Sequence, residues 1–150
     1  MRAVVQRCLY GKVRVEGEIV DEIDKGIVAL IGFSPTDNEK TIDYMLEKII
    51  TLRIFEDDAG KMNLSLLDTK GELLVVPNFT IYGDARRGRR PGYSDAATPK
   101  DAEEMFNILV KKAKDLDLPK VGSGIFQTDM KIELVNDGPI TLLLDSEKLF

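Results

Sequence analysis

The sequence predicts an α+β domain spanning residues 1–150, with a mainly antiparallel sheet and two principal helices. Three observations carry this expectation. Strand-like and helix-like apolar periodicities alternate in blocks, in the order strands, helix, strands, helix, strands. The length suits one core, and no linker, internal repeat or low-complexity tract divides it. Hydrophobic residues at 43% and charged residues at 31% are globular proportions, which excludes a disordered chain.

Taken in order, Arg2 to Tyr10, Lys12 to Glu16 and Ile19 to Ile23 read as strands, with Glu16, Gly17 and Glu18 as a hairpin turn. The run "IVALIGF" from Ile27 is short enough for a buried strand. Thr36 and Glu39 stand at capping-box spacing before Ile42, Met45, Leu46, Ile49 and Ile50, which recur at three and four and predict a helix ending near Arg53. "IFEDDAGKM" reads as a strand and a turn. "ELLVVPNFTIY" at 72–82 reads as a long strand in which Pro77 demands an edge, a bulge or a bend. Thr98 as cap and Pro99 at the first helical position open a second helix, whose stripe is Ala102, Met105, Phe106, Leu109, Val110 and Ala113. Met130, Ile132 and Leu134 alternate inward on a strand, and "ITLLLD" follows as its partner across a turn at Gly138 and Pro139.

The absence of histidine excludes Ser-His-Asp and Cys-His nucleophile systems and His-containing zinc sites, because each needs an imidazole. No ligand cluster calls for a metal, and no motif calls for a cofactor. Cys8 is the only cysteine, so no intramolecular disulfide forms; it sits in an apolar run and reads as a buried small hydrophobe. The first residues lack the apolar region of a secretory signal, and no stretch reaches the roughly 20 apolar residues of a bilayer span, so a soluble, cytoplasmic protein is expected. A net charge of −5 argues against wholesale coating of nucleic acid and leaves room for a local basic patch.

Four stretches exceed what packing requires. In "PNFTIYGD", Thr80 is a hydroxyl with no imidazole to activate it and equally a residue of high β propensity, while Phe79 reads first as a core aromatic. Arg86, Arg87, Arg89 and Arg90 gather four guanidinium groups in five positions, either a phosphate contact or a solvated loop. "GSG" at 122–124 lacks the spacing and following helix of a phosphate loop. A wall made of Gly138 and Pro139 offers carbonyl acceptors with no proline N–H, which suits an ammonium group, and the isomer of the bond between them is open.

Together, "VPNFTIYGDARRGRRPGYSDAA", "LVNDGPITLLLDS" and the early "VVQR" resemble the D-aminoacyl-tRNA deacylase family over essentially the whole chain. The resemblance implies a β-barrel-like α+β homodimer with active sites at the subunit interface. Its substrate is a D-aminoacyl-tRNA or Gly-tRNA, with neither DNA nor membrane as partner. It further implies that Pro77, Asn78, Phe79 and Thr80 form the catalytic motif, with Thr80 a positioning group rather than a nucleophile. Gly138 and Pro139, in the motif completed by Asn136 and Thr141, are implied to be a cis pair that enters the other subunit's site and collides with an L side chain. Arg7 is implied to brace that pair, and Met130 belongs with the same chirality-reading group. Arg86, Arg87, Arg89 and Arg90 are the candidate tRNA contacts. Pro77 and Asn78 depart from the family's Ser and Gln, which removes a hydroxyl and a backbone donor and shortens an amide. An editing deacylase that prefers glycine or a small L-amino acid is therefore a rival reading, and a non-catalytic RNA-binding module is another.

Overall fold

Strand β1 (Arg2–Val15) is the spine of the molecule, and the computed structural model describes residues 1–150 around it. On one side β1 pairs along its length with β8 (Met130–Asp145); on the other its first half pairs with β3 (Gly26–Gly32) and its second half with β2 (Glu18–Ile23), all antiparallel. Strands β6 (Glu72–Pro77) and β7 (Val121–Ser123) extend the sheet beyond β3 in parallel. The sheet is thus mainly antiparallel, as the sequence predicts, with two parallel pairs beyond β3 that make it mixed. The parallel pairs arise because helical crossovers join their strands: α1 (Glu39–Thr51) lies between β3 and β6, and α3 (Pro99–Lys114) between β6 and β7. A small hairpin of β4 (Phe55–Glu56) and β5 (Met62–Leu64) and one turn of helix, α2 (Leu66–Thr69), complete the first crossover.

The sheet curls until its ends meet. The Asp21 carboxylate of β2 accepts from the Ser123 amide of β7 at 2.9 Å and pairs with Lys120 at 3.8 Å. Two cores result, and the two-residue period of the strands sorts side chains between them. Ile27, Ala29 and Ile31 of β3, with Leu73 and Val75 of β6, pack against Ile42, Met45 and Ile49 of α1 and Phe106 and Leu109 of α3. Val28, Leu74 and Val76 point the other way, into the curl, with Cys8, Val13 and Ile23. Full burial on both faces is why β3 reads as an unbroken apolar run.

Four details differ from the sequence expectations. Gly11 does not divide β1: a side chain there would meet Val28 Cγ2 at 2.6 Å, so glycine lets the strand cross the inner core without a break. Helix α1 is capped by Asn38, not Thr36; the Asn38 side chain accepts from the Lys40 and Thr41 amides, and Thr41 closes the capping box. The long strand at 72–82 stops at Pro77, and Phe79–Tyr82 is a single 3₁₀ turn. Lastly, Gly138 and Pro139 are not a hairpin turn. Both flanking runs belong to β8 and pair with β1 in one direction, Val15 to Met130 at one end and Arg2 to Asp145 at the other. The intervening residues bulge out of the ladder, where the register shifts between Gln6 and Gly11. No helix is long and apolar enough to cross a membrane.

Candidate active site

A cleft of about 730 Å³ opens where β6 ends, between β3, the start of α3 and the turn that leads into β8. Its lining is mostly apolar and includes Pro77, Asn78, Phe79, Thr80 and Met130, which the sequence had singled out. The local fold explains their arrangement. Pro77 ends the strand, and the Asn78 amide donates to the Ile31 carbonyl at 2.7 Å, turning the chain. Asn78 then caps the 3₁₀ turn, its Oδ1 accepting from the Thr80 amide at 3.1 Å and the Thr80 hydroxyl at 2.5 Å. The hydroxyl is engaged with an amide oxygen, which is no base. Phe79 is not a core residue: it is 56% exposed and meets the Tyr93 ring edge-on at 5.1 Å. The pair stays at the rim, while Tyr82 at the end of the same turn is buried.

The bulge in β8 is built by Asn136. Its Oδ1 accepts from the Ile140 amide at 2.8 Å, and its Nδ2 donates to the Ile140 carbonyl at 3.0 Å and to Thr141 Oγ1 at 3.2 Å. That is the physical content of the "NDGPIT" spacing: one carboxamide spans the loop and fastens both sides. Arg7, which is buried, holds the loop from beneath. Its guanidinium donates to the Asp137 carbonyl at 3.1 Å, pairs with the Asp137 carboxylate at 3.0 Å, and donates to the Ile54 carbonyl at 2.7 Å. The Gly138–Pro139 bond is cis, and Gly138 has φ +130°, where an added Cβ would meet Ile140 Cγ1 at 2.7 Å. Gly138 and Pro139 are exposed, and neither lines the cleft of its own chain.

The arginine run forms a closed ribbon beyond the cleft. Asp84 and Gly92 exchange backbone hydrogen bonds at 2.8 and 2.9 Å, and Arg86 forks onto the Asp84 carboxylate. That hydrogen-bonded guanidinium holds the Asp84 carboxyl down to about 2. Arg87, Arg89 and Arg90 make no ion pair and are exposed at the tip. Within the curl, burial pushes the Cys8 thiol up to about 11, the state of a packing group rather than a nucleophile. No group of three or more His, Cys, Asp and Glu side chains is placed to hold a metal ion. The cleft contains no lysine, arginine or histidine, and its single carboxylate, Asp129, is exposed at the rim, where it pairs with Lys131 at 2.8 Å.

Two groups at the site escaped the sequence reading. Tyr93 partners Phe79 from a loop that carried only the arginine signal. Gln6 lines the cleft and donates to Thr141 Oγ1 at 3.2 Å, joining the cleft to the bulge. Its position next to Arg7 in "VVQR" was the available clue.

The curled sheet with its two covering helices is shared with solved structures. One, described as a probable eukaryotic D-amino acid tRNA deacylase, matches with a TM-score of 0.81 over 95% of this chain and 97% of its own, at 15% identity, a likeness of fold alone. Another, described as the c-Myc DNA unwinding element binding protein, matches with a TM-score of 0.91 and 35% identity over 97% and 98% of the two chains. Proteins called D-aminoacyl-tRNA deacylase from Thermosipho africanus and Clostridioides difficile are each 53% identical over the full length of both chains. Residues 4–145 match the family described as D-Tyr-tRNA(Tyr) deacylase, and the chain belongs to that family. It is therefore a hydrolase of ester bonds acting on aminoacyl-tRNA.

Proposed function

We propose that this chain hydrolyses the ester between a D-amino acid, or glycine, and the 3′ end of tRNA in the cytoplasm, and that two copies complete each other's sites. In this reading Gly138 and Pro139 of one protomer enter the cleft of the other. Their carbonyl oxygens face the substrate's α-carbon and leave no room for an L side chain. The division of the motifs between two places carries the proposal. Pro77 to Thr80 and Met130 line the cleft, while Gly138 and Pro139 lie outside it, exposed yet fastened by Asn136 and Arg7. Rigid fixing of an exposed loop has little purpose within a single chain. Strand β8 adds support, since it pairs only with β1 and leaves a long open edge with Val135 and Leu143 exposed beside it.

The chemistry follows from what the cleft lacks. With no imidazole or amine in its lining, and its one carboxylate, Asp129, exposed at the rim, the cleft orients the ester and a water, and the neighbouring 2′-hydroxyl of the substrate assists the attack. Phe79 opens the 3₁₀ turn, so its amide has no acceptor within that turn and is the donor suited to charge developing on the carbonyl oxygen. Thr80 positions this turn through Asn78. The exposed arginines of the 84–92 ribbon hold backbone phosphates of the acceptor end.

Deacylation of D-Tyr-tRNA, Gly-tRNA and L-Tyr-tRNA by the purified protein tests this. Fast release from the D ester, with the L ester decaying at its spontaneous rate, is expected. Equal release from both esters refutes chiral reading, and tight tRNA binding without turnover establishes the non-catalytic module instead.

A further inference from the structure

We infer that Asp21, which lies outside the cleft, is a positioning residue for substrate binding: through β7 its carboxylate holds the segment from Gly124 to Met130 that walls the cleft. This rests on the function proposed above. Phe126, Gln127, Thr128, Asp129 and Met130 all line the cleft. Yet residues 125–129 make no backbone–backbone hydrogen bond, and a segment of that kind takes its place from its ends. At one end Met130 is fixed by the pairing of β8 with Val15. Within the segment, the Phe126 ring stands 6.4 Å from that of Phe106 in α3. The other end is β7, which is three residues long and has a backbone partner, β6, on one side only.

Asp21 supplies the missing side. Adjacent amides of a strand face opposite neighbours, so the Gly124 amide reaches the Val75 carbonyl of β6 at 2.9 Å while the Ser123 amide points away from β6 and donates to Asp21 Oδ2 at 2.9 Å. The surroundings prepare the carboxylate for this bond. Val20 is the extra residue where the β1–β2 register shifts, directly before Asp21, and a bulge re-aims the side chain beside it. Asp21 Oδ1 accepts from the Glu22 amide at 3.0 Å, which holds its orientation. Opposite stands Gly122, where an added Cβ would meet Asp21 Cγ at 2.9 Å, so the carboxylate fits over β7 only because that position is glycine. The chain then passes Gly124, where a Cβ would meet Met130 Sδ at 2.8 Å and Pro77 Cδ at 3.1 Å, so the clasped strand ends in close contact with the cleft. Pro77 is itself fixed by pairing with Ile31. A loosened β7 therefore moves the 124–130 wall rather than the turn that carries Phe79 and Thr80, and it is the fit of bound substrate that suffers.

The test uses Asp21→Ala, Gly122→Ala and the two combined, with Ser123→Ala, which keeps the backbone amide, as control. Asp21→Ala is expected to raise KM for D-Tyr-tRNA about fivefold with kcat within about twofold of wild type, the signature of lost binding rather than lost chemistry. Gly122→Ala is expected to raise KM likewise by displacing the carboxylate, and serves alone if Asp21→Ala does not fold. The combined variant is expected to match Asp21→Ala, because the nearest neighbours of the added methyl are all atoms of Asp21. Hydrogen exchange on the protein alone, read by mass spectrometry, reports the clasp without any substrate. The 121–130 peptide is expected to exchange faster in both single variants and as in wild type in Ser123→Ala. An Asp21 that only stabilises the fold would lower the melting temperature and leave KM where it is. Unchanged KM in the folded variants, unchanged exchange in 121–130, or KM effects that multiply in the combined variant each overturn the inference. A wild type that leaves D-Tyr-tRNA uncleaved overturns the underlying reading instead, and the exchange experiment then decides the clasp by itself.

Discussion

Replacing Asn136 by alanine isolates the device that shapes the β8 bulge. The substitution removes three hydrogen bonds, two to the Ile140 backbone and one to the Thr141 hydroxyl. Each is worth about 1 kcal/mol net, and water reaches the partly exposed loop to replace some of them, so a loss of about 2 kcal/mol is expected. For a chain of this size that lowers the melting temperature by about 4–8 °C. The core is untouched, so the fold persists and the effect on function is separable from it. Asn136→Ala is expected to melt lower by calorimetry, to keep its far-ultraviolet circular dichroism, and to lose discrimination between D-Tyr-tRNA and L-Tyr-tRNA. A melting temperature within a degree of wild type together with unchanged discrimination would refute the reasoning, because it would show that the loop holds its shape without the carboxamide.

Three further outcomes are expected. Thr80→Val removes the hydroxyl that donates to Asn78; deacylation falls less than about tenfold, since one neutral hydrogen bond of about 1 kcal/mol is lost, and complete loss with intact substrate binding would restore Thr80 as the nucleophile. Replacing Arg87, Arg89 and Arg90 together by alanine raises KM for tRNA and flattens the dependence of log affinity on log salt by about 2, from roughly 0.7 for each of three single-strand phosphates; an unchanged slope removes the ribbon from the interface. The Asp84 carboxyl, held down to about 2 first by the Arg86 side chain, favours the folded ribbon above the ordinary aspartate range. That contribution fades as pH falls toward about 2, so an NMR titration of this carboxyl carbon shows no midpoint near pH 4.

Much of the fold was written in periodicities that the structure preserves. The stripe from Ile42 to Ile50 and that from Ala102 to Ala113 face the helical core, because a three-and-four spacing leaves a helix only one apolar side. What misled was punctuation whose meaning depends on distant partners. Gly138 and Pro139 look like a hairpin turn locally, and only the pairing of both flanks with the full length of β1 shows a bulge. Thr36 offered capping-box spacing, and Asn38 won because two backbone amides converge on its side chain. Parallel pairing of β3, β6 and β7 is a matter of how crossovers travel, which strand composition does not record. At the site, Pro77 to Thr80 and Asn136 to Thr141 stood out because proline, glycine and amide residues interrupt apolar runs. Phe79 seemed a core aromatic because its neighbours are apolar, and its exposure comes from a 3₁₀ turn that begins only where the proline ends the strand. Gln6 carried no signal of its own, since a polar residue on a strand ordinarily faces water.

Subunit complementation tests the central proposal most directly. Gly138→Val disrupts the loop, its side chain colliding with Ile140, while Asn78→Ala uncaps the turn that carries Thr80; each is inactive alone as a homodimer on this account. Co-refolded in equal amounts, they are predicted to recover about a quarter of wild-type D-Tyr-tRNA deacylation, because half the dimers are mixed and each mixed dimer has one intact site. Mixed dimers that form and remain inactive would contradict the sharing of sites between two chains.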